Sequence, residues 1–313
     1  MGELAPIAIF SFRRPHHLAA TLDALQQCPE FAASEVIAYS DGPRRASDEA
    51  GVNEVRQLLR SRKTPNMTLV ERPINMGLAN SIIGAVTEIT RRAGKVIVVE
   101  DDLVLQPSAL AWLNAGLNAY VDDERVMQIS AYQYRVPEFA QRQNGTFQRF
   151  ATTWGWGTWE RAWKKFDAEA NGWRDLIDNP EIRTAFDAGG VYPFADMLQK
   201  QMSGRIDSWG IRWSWSVFRN QGLTLMPPRS LVRNTGLDGS GTHSTLGPLK
   251  RFVAAPQPLQ WHNAEPPQLP TEVILRAEEE QAFRRALKNT HALRNHHIKR
   301  ALAKAGLKHF ADA

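Results

Sequence analysis

Lys95–Asp102 reads KVIVVEDD. Four apolar, mostly β-branched residues, Val96–Val99, lie between a lysine and three consecutive acids. The run is short for a helix and has the character of a strand buried on both faces. Upstream, similar runs alternate with helical patterns. Ile7–Phe12 (IAIFSF) is followed by Pro15, placed for a first helical turn, and by Leu18, Leu22 and Leu25 at helical spacing. Glu35–Tyr39 (EVIAY) is closed by the turn-forming Ser40–Asp41–Gly42–Pro43. Val55–Leu59 reads as helix and Met67–Glu71 as strand, and Asn80–Arg92 carries Ile82, Ile83, Val86 and Ile89 on one helical face. This β-α-β-α order predicts an α/β fold with a mostly parallel sheet covered by helices. In such sheets ligands bind at the carboxyl ends of the strands, where Glu100–Asp102 lies.

The 313 residues are 43% hydrophobic and 23% charged, which excludes a disordered tail protein and a membrane bundle. No run of about 18 apolar residues is present to span a bilayer. The amino terminus MGELAPIAIFSFRRP lacks the pattern of a signal peptide, and the lone Cys28 suits a reducing compartment, so a cytoplasmic location is expected. The net charge of +5 is unevenly placed. Residues 281–313 hold eight Lys/Arg and one acid, a local +7 that leaves −2 for the rest. A nucleic-acid partner is not expected, because aromatic residues interleave this basic tail only at Phe283 and Phe310.

Beyond about Tyr132 the strand–helix alternation fades. Eight of the ten tryptophans lie between Trp154 and Trp215, and the chain beyond Pro270 reads as helical, with Glu278–Glu280 preceding the basic residues as a helix dipole favours. Trp154, Trp156 and Trp159 alternate with glycines and Thr158, a pattern suited to stacking on sugar rings or to a core. The acid triplet also has two readings. Adjacent carboxylates repel unless a cation or hydrogen-bond donors offset them, and Mg²⁺ or Mn²⁺ takes such ligands together with substrate phosphates. The alternative is a solvated loop capping a helix near Ser108.

VIVVEDDLVLQPSALAWLNAGLNAY resembles the metal-binding stretch of GT-A-fold glycosyltransferases, above all the N-acetylglucosaminyltransferase I type, whose triplet is also Glu-Asp-Asp. PIAIFSFRRPHHLAATLDAL resembles the first strand and helix of such enzymes, and YSDGPR the end of the second strand. NMGLANSI resembles an Asn-x-Gly-Leu segment of related bacterial, family 2-like transferases. TTWGWGTWERAW, DSWGIRWSW and NTGLDGSGTH resemble their acceptor-side half. The resemblance runs from about Pro6 to His243. It implies a Rossmann-like GT-A fold with a nucleotide-sugar-binding half (residues 1–135) and a Trp-rich acceptor-side half (136–268); the basic helical tail (269–313) follows from the charge and turn pattern alone.

The same resemblance implies a metal-dependent, inverting bacterial enzyme. It would move GlcNAc or another sugar from a UDP-sugar to a glycan or lipid-linked acceptor in surface polysaccharide synthesis. Asp102 would ligate Mn²⁺ or Mg²⁺, with Glu100 and Asp101 helping to hold metal and nucleotide. Arg14 and Asp41 would flank base and ribose, while Asn75, Gly77 and Leu78 would let the backbone approach the nucleotide. Asp207 would be the general base, although Ser208 replaces a second acid of the family, with Asp238 as runner-up. His243 would serve the metal or diphosphate.

Each of these residues also has a structural reading: a turn for Asp41, a turn entering a helix capped by Asn80 for Asn75–Leu78, an N-cap for Asp207 and a surface histidine for His243. Among functions, a nucleotidyltransferase would share sheet and carboxylates but should carry a glycine-rich basic loop after the first strand, where Phe12–Arg13–Arg14–Pro15 has no glycine. A non-catalytic carbohydrate-binding protein would account for the tryptophans but not for the triplet. In the tail, Phe283, Leu287, Ile298, Leu302 and Phe310 form an interrupted apolar face, suited either to packing on the domain or to peripheral contact with an anionic membrane.

Overall fold

Every side chain from Val96 to Val99 is fully buried in the computed structural model, which describes residues 2–236 and 265–304, with side chains to residue 290. The strands are β1 (Ile7–Ser11), β2 (Val36–Ser40), β3 (Met67–Glu71), β4 (Lys95–Glu100), β5 (Leu103–Leu105), β6 (Val126–Ser130), β7 (Thr146–Gln148), β8 (Trp156–Trp159), β9 (Leu223–Met226) and β10 (Val232–Asn234). The helices are α1 (Pro15–Gln26), α2 (Glu49–Ser61), α3 (Leu78–Ala93), α4 (Ala109–Ala119), α5 (Glu160–Trp163), α6 (Asp175–Asp178), α7 (Pro180–Phe186), α8 (Phe194–Met202), α9 (Trp209–Arg219) and α10 (Ala277–Lys304).

Eight strands form one sheet in the order β3-β2-β1-β4-β8-β6-β9-β7, and β5 and β10 form a separate antiparallel pair. Strand β4 pairs parallel with β1 (Ile7↔Ile97) and antiparallel with β8 (Val98↔Trp156). Strands β1, β2, β3, β4, β6 and β9 share one direction, and only β8 and β7 oppose it. The α/β, mostly parallel sheet expected from the sequence is therefore present, with strand ends shifted by a residue. Helix α3 starts at Leu78, two residues before the expected cap. Gly77, at φ +77°, makes the turn, and Asn80 lies inside the first turn with its Nδ2 donating to the Met76 carbonyl at 3.1 Å. Ser108 precedes α4, but its side chain makes no capping bond.

The tryptophan-rich segment is core more than ligand platform. Trp156 and Trp159 are buried, and Trp156 stacks on Trp209 at 5.3 Å. Their glycine neighbour serves packing: a Cβ on Gly157 would stand 2.9 Å from Leu117 and 3.1 Å from the Val96 carbonyl. The indole N–H of Trp159 reaches the Leu117 carbonyl at 2.9 Å, and that of Trp213 reaches Gln128 at 2.6 Å, whereas the buried Trp156 N–H has no partner among the described residues. Of the three tryptophans considered for sugar stacking, Trp154 alone keeps partial exposure.

The first half of α10 packs on the domain. Phe283 and Leu287 are fully buried among Val136, Phe139, Phe150 and Met226, with Phe283 stacked on Phe150 at 5.5 Å. These two residues are therefore unavailable to a lipid surface. The side chains of Ile298 and Leu302, and Phe310, lie outside the described residues. Among those described, no helix is long and apolar enough to cross a membrane.

Phe283→Ala should lower stability by about 3 kcal/mol, the scale of a core phenylalanine truncation, read from urea denaturation. Cys28 is buried, and that burial pushes its thiol up to about 12. It should remain unlabelled by a thiol reagent in the native protein and react only on unfolding.

Candidate active site

Four loops meet at the carboxyl ends of β1–β4, and each holds a residue singled out in the sequence. Arg14 follows β1, Asp41 follows β2, Asn75 and Gly77 follow β3, and Asp101–Asp102 follow β4. Parallel pairing thus gathers residues up to 88 positions apart onto one edge.

Arg14 is the hub. Its guanidinium donates to Asp101 and, at 2.8 Å, to Asp102 Oδ2. The Arg14 side chain is only 19% exposed, and Asp101 and Asp102 are buried. Burial works against the arginine's charge, but the two carboxylates outweigh it and hold the guanidinium protonated. Burial, opposed by Arg14, pushes the Asp101 carboxyl up to about 6. Glu100 is raised as well, by desolvation first and then by the charges of Asp102 and Asp101.

The main chain beneath this cluster is clamped. Thr21 Oγ1 donates to the Asp101 carbonyl at 2.8 Å, and the Thr235 amide to the Asp102 carbonyl at 2.8 Å. Thr235 Oγ1 also lies 2.9 Å from His17 Nδ1. Gly236 packs so closely that a Cβ there would stand 2.1 Å from Asp102 Oδ2 and 2.7 Å from Arg14. Thr21, His17, Thr235 and Gly236 were not identified from sequence as parts of the triplet's surroundings. Asn234–Gly236 opens the motif NTGLDGSGTH, but only the β5–β10 pairing brings it over the acids.

Asp41 and Asn75 lock two neighbouring loops together. The buried Asp41 carboxylate accepts the Met76 amide at 2.9 Å, the Gly77 amide at 3.0 Å and the Gly42 amide at 3.1 Å. Asn75 donates to the Gly42 carbonyl at 2.7 Å and accepts from Arg44 Nε at 2.9 Å. Asp41 therefore has the turn-stabilising role weighed for it, tied to the start of α3, and Leu78 is the first residue of that helix.

Asp207 is exposed just before α9, whose N-cap position belongs to Ser208. Among the described residues its carboxylate has no hydrogen-bond or ion-pair partner, so it does not act as a cap. Trp209 anchors α9 on Trp156, which opens β8 beside Val98. Trp154 meets Tyr132 edge-on at 4.6 Å. Asp238 and His243 lie outside the described residues.

The donor set suits a hard divalent ion shared with a substrate. Asp102 Oδ2 is engaged by Arg14, while among the described residues Oδ1 faces only Asn234 Nδ2 at 3.5 Å, too long for a full hydrogen bond. Among the described residues no group of three or more His, Cys, Asp or Glu is arranged to hold a metal. An all-protein cage is thus not formed there, whereas one or two carboxylates completed by phosphate oxygens match Mg²⁺ or Mn²⁺.

No family model matches the chain, and no curated protein matches it. Solved structures do. Mannosyltransferase PcManGT from Pyrobaculum calidifontis, solved with GDP-Man and Mn²⁺, is 16% identical with a TM-score of 0.35, over 56% of this chain and 46% of its own. Galactosyltransferase LgtC, solved with donor and acceptor sugar analogues, is 9% identical with a TM-score of 0.31, over 71% and 73%. The 4-diphosphocytidyl-2C-methyl-D-erythritol synthase of Anaerococcus prevotii is 9% identical with a TM-score of 0.34, over 71% and 86%. The chain thus spans less than half the length of the mannosyltransferase.

Asp41→Ala should cost about 2–3 kcal/mol, since it strands amides that a buried carboxylate accepts. Hydrogen exchange at Met76 and Gly77 should accelerate more than exchange in β4, and uniform acceleration would contradict the local clamp.

Proposed function

We propose that the chain is a glycosyltransferase that moves a sugar from a nucleoside diphosphate to an acceptor hydroxyl, with a divalent ion held at Asp102. The observation that carries this reading is the acid triplet at the carboxyl end of the buried strand β4, with the loops after β1, β2 and β3 beside it. The sequence resemblance favours UDP-GlcNAc as donor and a glycan or lipid-linked acceptor. A nucleotidyltransferase would use the same sheet edge, but the loop after β1 lacks the glycines that cradle a triphosphate.

In this reading Asp102 holds the ion, Asp101 keeps Arg14 in place, and the Asp41–Asn75 lock shapes the edge against which the nucleoside lies. Bound there, the ion neutralises the departing diphosphate as a Lewis acid. Asp207 accepts the proton of the acceptor hydroxyl as its oxygen bonds to the anomeric carbon, while the electrons of the broken bond leave with the diphosphate. Its exposure, and the absence of a partner among the described residues, leave the carboxylate open to an incoming substrate. Trp154 offers its partly exposed ring to the acceptor.

Calorimetry with UDP and UDP-sugars, with and without Mn²⁺, tests the reading. Asp102→Ala should abolish the Mn²⁺-dependent part of binding. Asp207→Asn should bind the donor normally and lose turnover by about 10²-fold or more, as removal of a general base does. Metal-independent binding of UDP to the unaltered protein would favour a different reaction, and near-normal turnover of Asp207→Asn would move the base to another acid.

A further inference from the structure

We propose that Arg14 is a built-in counterion that competes with the divalent ion for Asp102, so that metal binds tightly only together with a diphosphate. This rests on the assignment of the ion to Asp102. The arginine already neutralises the carboxylates an ion would use, bonding Asp101 and reaching Asp102 Oδ2 at 2.8 Å. It is held there: Pro15 follows it at the start of α1, its carbonyl accepts the Leu18 amide at 3.1 Å, and its side chain is 19% exposed. Gly236 covers the pair so tightly that a Cβ would fall 2.1 Å from Asp102 Oδ2 and 2.7 Å from Arg14. A hydrated ion is larger than a methyl group, so the pair must open before an ion reaches that oxygen.

An ion arriving alone would either displace the guanidinium into a largely buried setting with one partner fewer or, on Oδ1, lie beside it, where like charge repels like. An ion arriving with a diphosphate brings the missing anion. Arg14 then turns from Asp102 to a phosphate oxygen, for which its planar fork is suited, and every charge stays paired. Arg14 thereby couples the two ligands: each raises the affinity for the other, and by linkage the effect is reciprocal.

The test measures Mn²⁺ affinity from loss of the free-ion paramagnetic resonance signal, which is independent of turnover. In the unaltered protein UDP should tighten Mn²⁺ binding by about tenfold or more. In Arg14→Met, Mn²⁺ alone should bind about tenfold tighter than to the unaltered protein, and the gain on adding UDP should fall below about threefold. Arg14→Gln removes the charge but keeps hydrogen-bond donors, so it should behave as Arg14→Met does, and it gives the direction if Arg14→Met does not fold. Unchanged or weaker binding of Mn²⁺ alone in either folded variant overturns the counterion role while leaving the metal at Asp102. Failure of the unaltered protein to bind Mn²⁺ with or without UDP overturns both.

Discussion

Three consecutive carboxylates at the end of a buried strand are a constraint before they are a site. Strand β4 lies between β1 and β8, so its direction is fixed and its acids must emerge where the sheet ends. Left alone, buried like charges would protonate or push the strand end outward. Arg14 offsets part of that penalty, and its position dictates much else. The loop after β1 has to bend toward β4 rather than away from it. Helix α1 has to start at Pro15, and Thr21, one and a half turns on, hydrogen-bonds the Asp101 carbonyl. On the other side, Thr235 and Gly236 close over the same acids.

The β2 and β3 loops follow a different rule. Asp41 meets no arginine in a described ion pair. Its charge is satisfied by backbone amides at the start of α3, where the helix dipole also favours an anion. One acid thus fixes the relative height of two loops, and Asn75 adds a second tie through the Gly42 carbonyl. The edge is accordingly stiff on its β2–β3 side and, at β4, built around an ion pair that has alternatives. That contrast is what a site needs if one part positions a nucleoside and another exchanges charge with it.

The first half of the fold was legible because its signals are local. Ile7–Phe12, Glu35–Tyr39, Met67–Glu71 and Lys95–Glu100 are short apolar runs between helical periodicities, and each is a strand to within a residue. The acids at β4 were legible for the same reason. The partner of Arg14 was not, since nothing in FRRP distinguishes an arginine that meets a ribose from one that meets Asp101. Strands β7 to β10 are three or four residues long and carry no periodicity of their own. Their order follows from long-range pairing such as β8 between β4 and β6. The tryptophans stayed open for a related reason: WGWGTW has the composition of a ligand platform and of a tight aromatic core, and the contact of Gly157 with Leu117 and Val96 decides for the core.

Charge is the last place where global and local readings part. The chain carries +5, yet much of the excess sits in the tail, where two of the three basic side chains described are already engaged. Arg284 pairs with Glu280 at 2.7 Å and Arg285 with Glu138 at 2.8 Å, while Phe283 and Leu287 fasten the helix between them. Pairs that are exposed or only part-buried add little stability, so the apolar pair does most to hold α10 in place. At the end of β4 the local sum runs the other way, with three acids against one arginine. With Arg14 already paired to Asp101 and Asp102 and Glu100 raised by burial, neither a bare nucleotide nor a bare cation is favoured there, whatever the net charge of the protein. On the proposed function, an anionic donor would settle there only by bringing positive charge with it, and the acids that would hold a metal would also favour a donor that arrives as a metal complex.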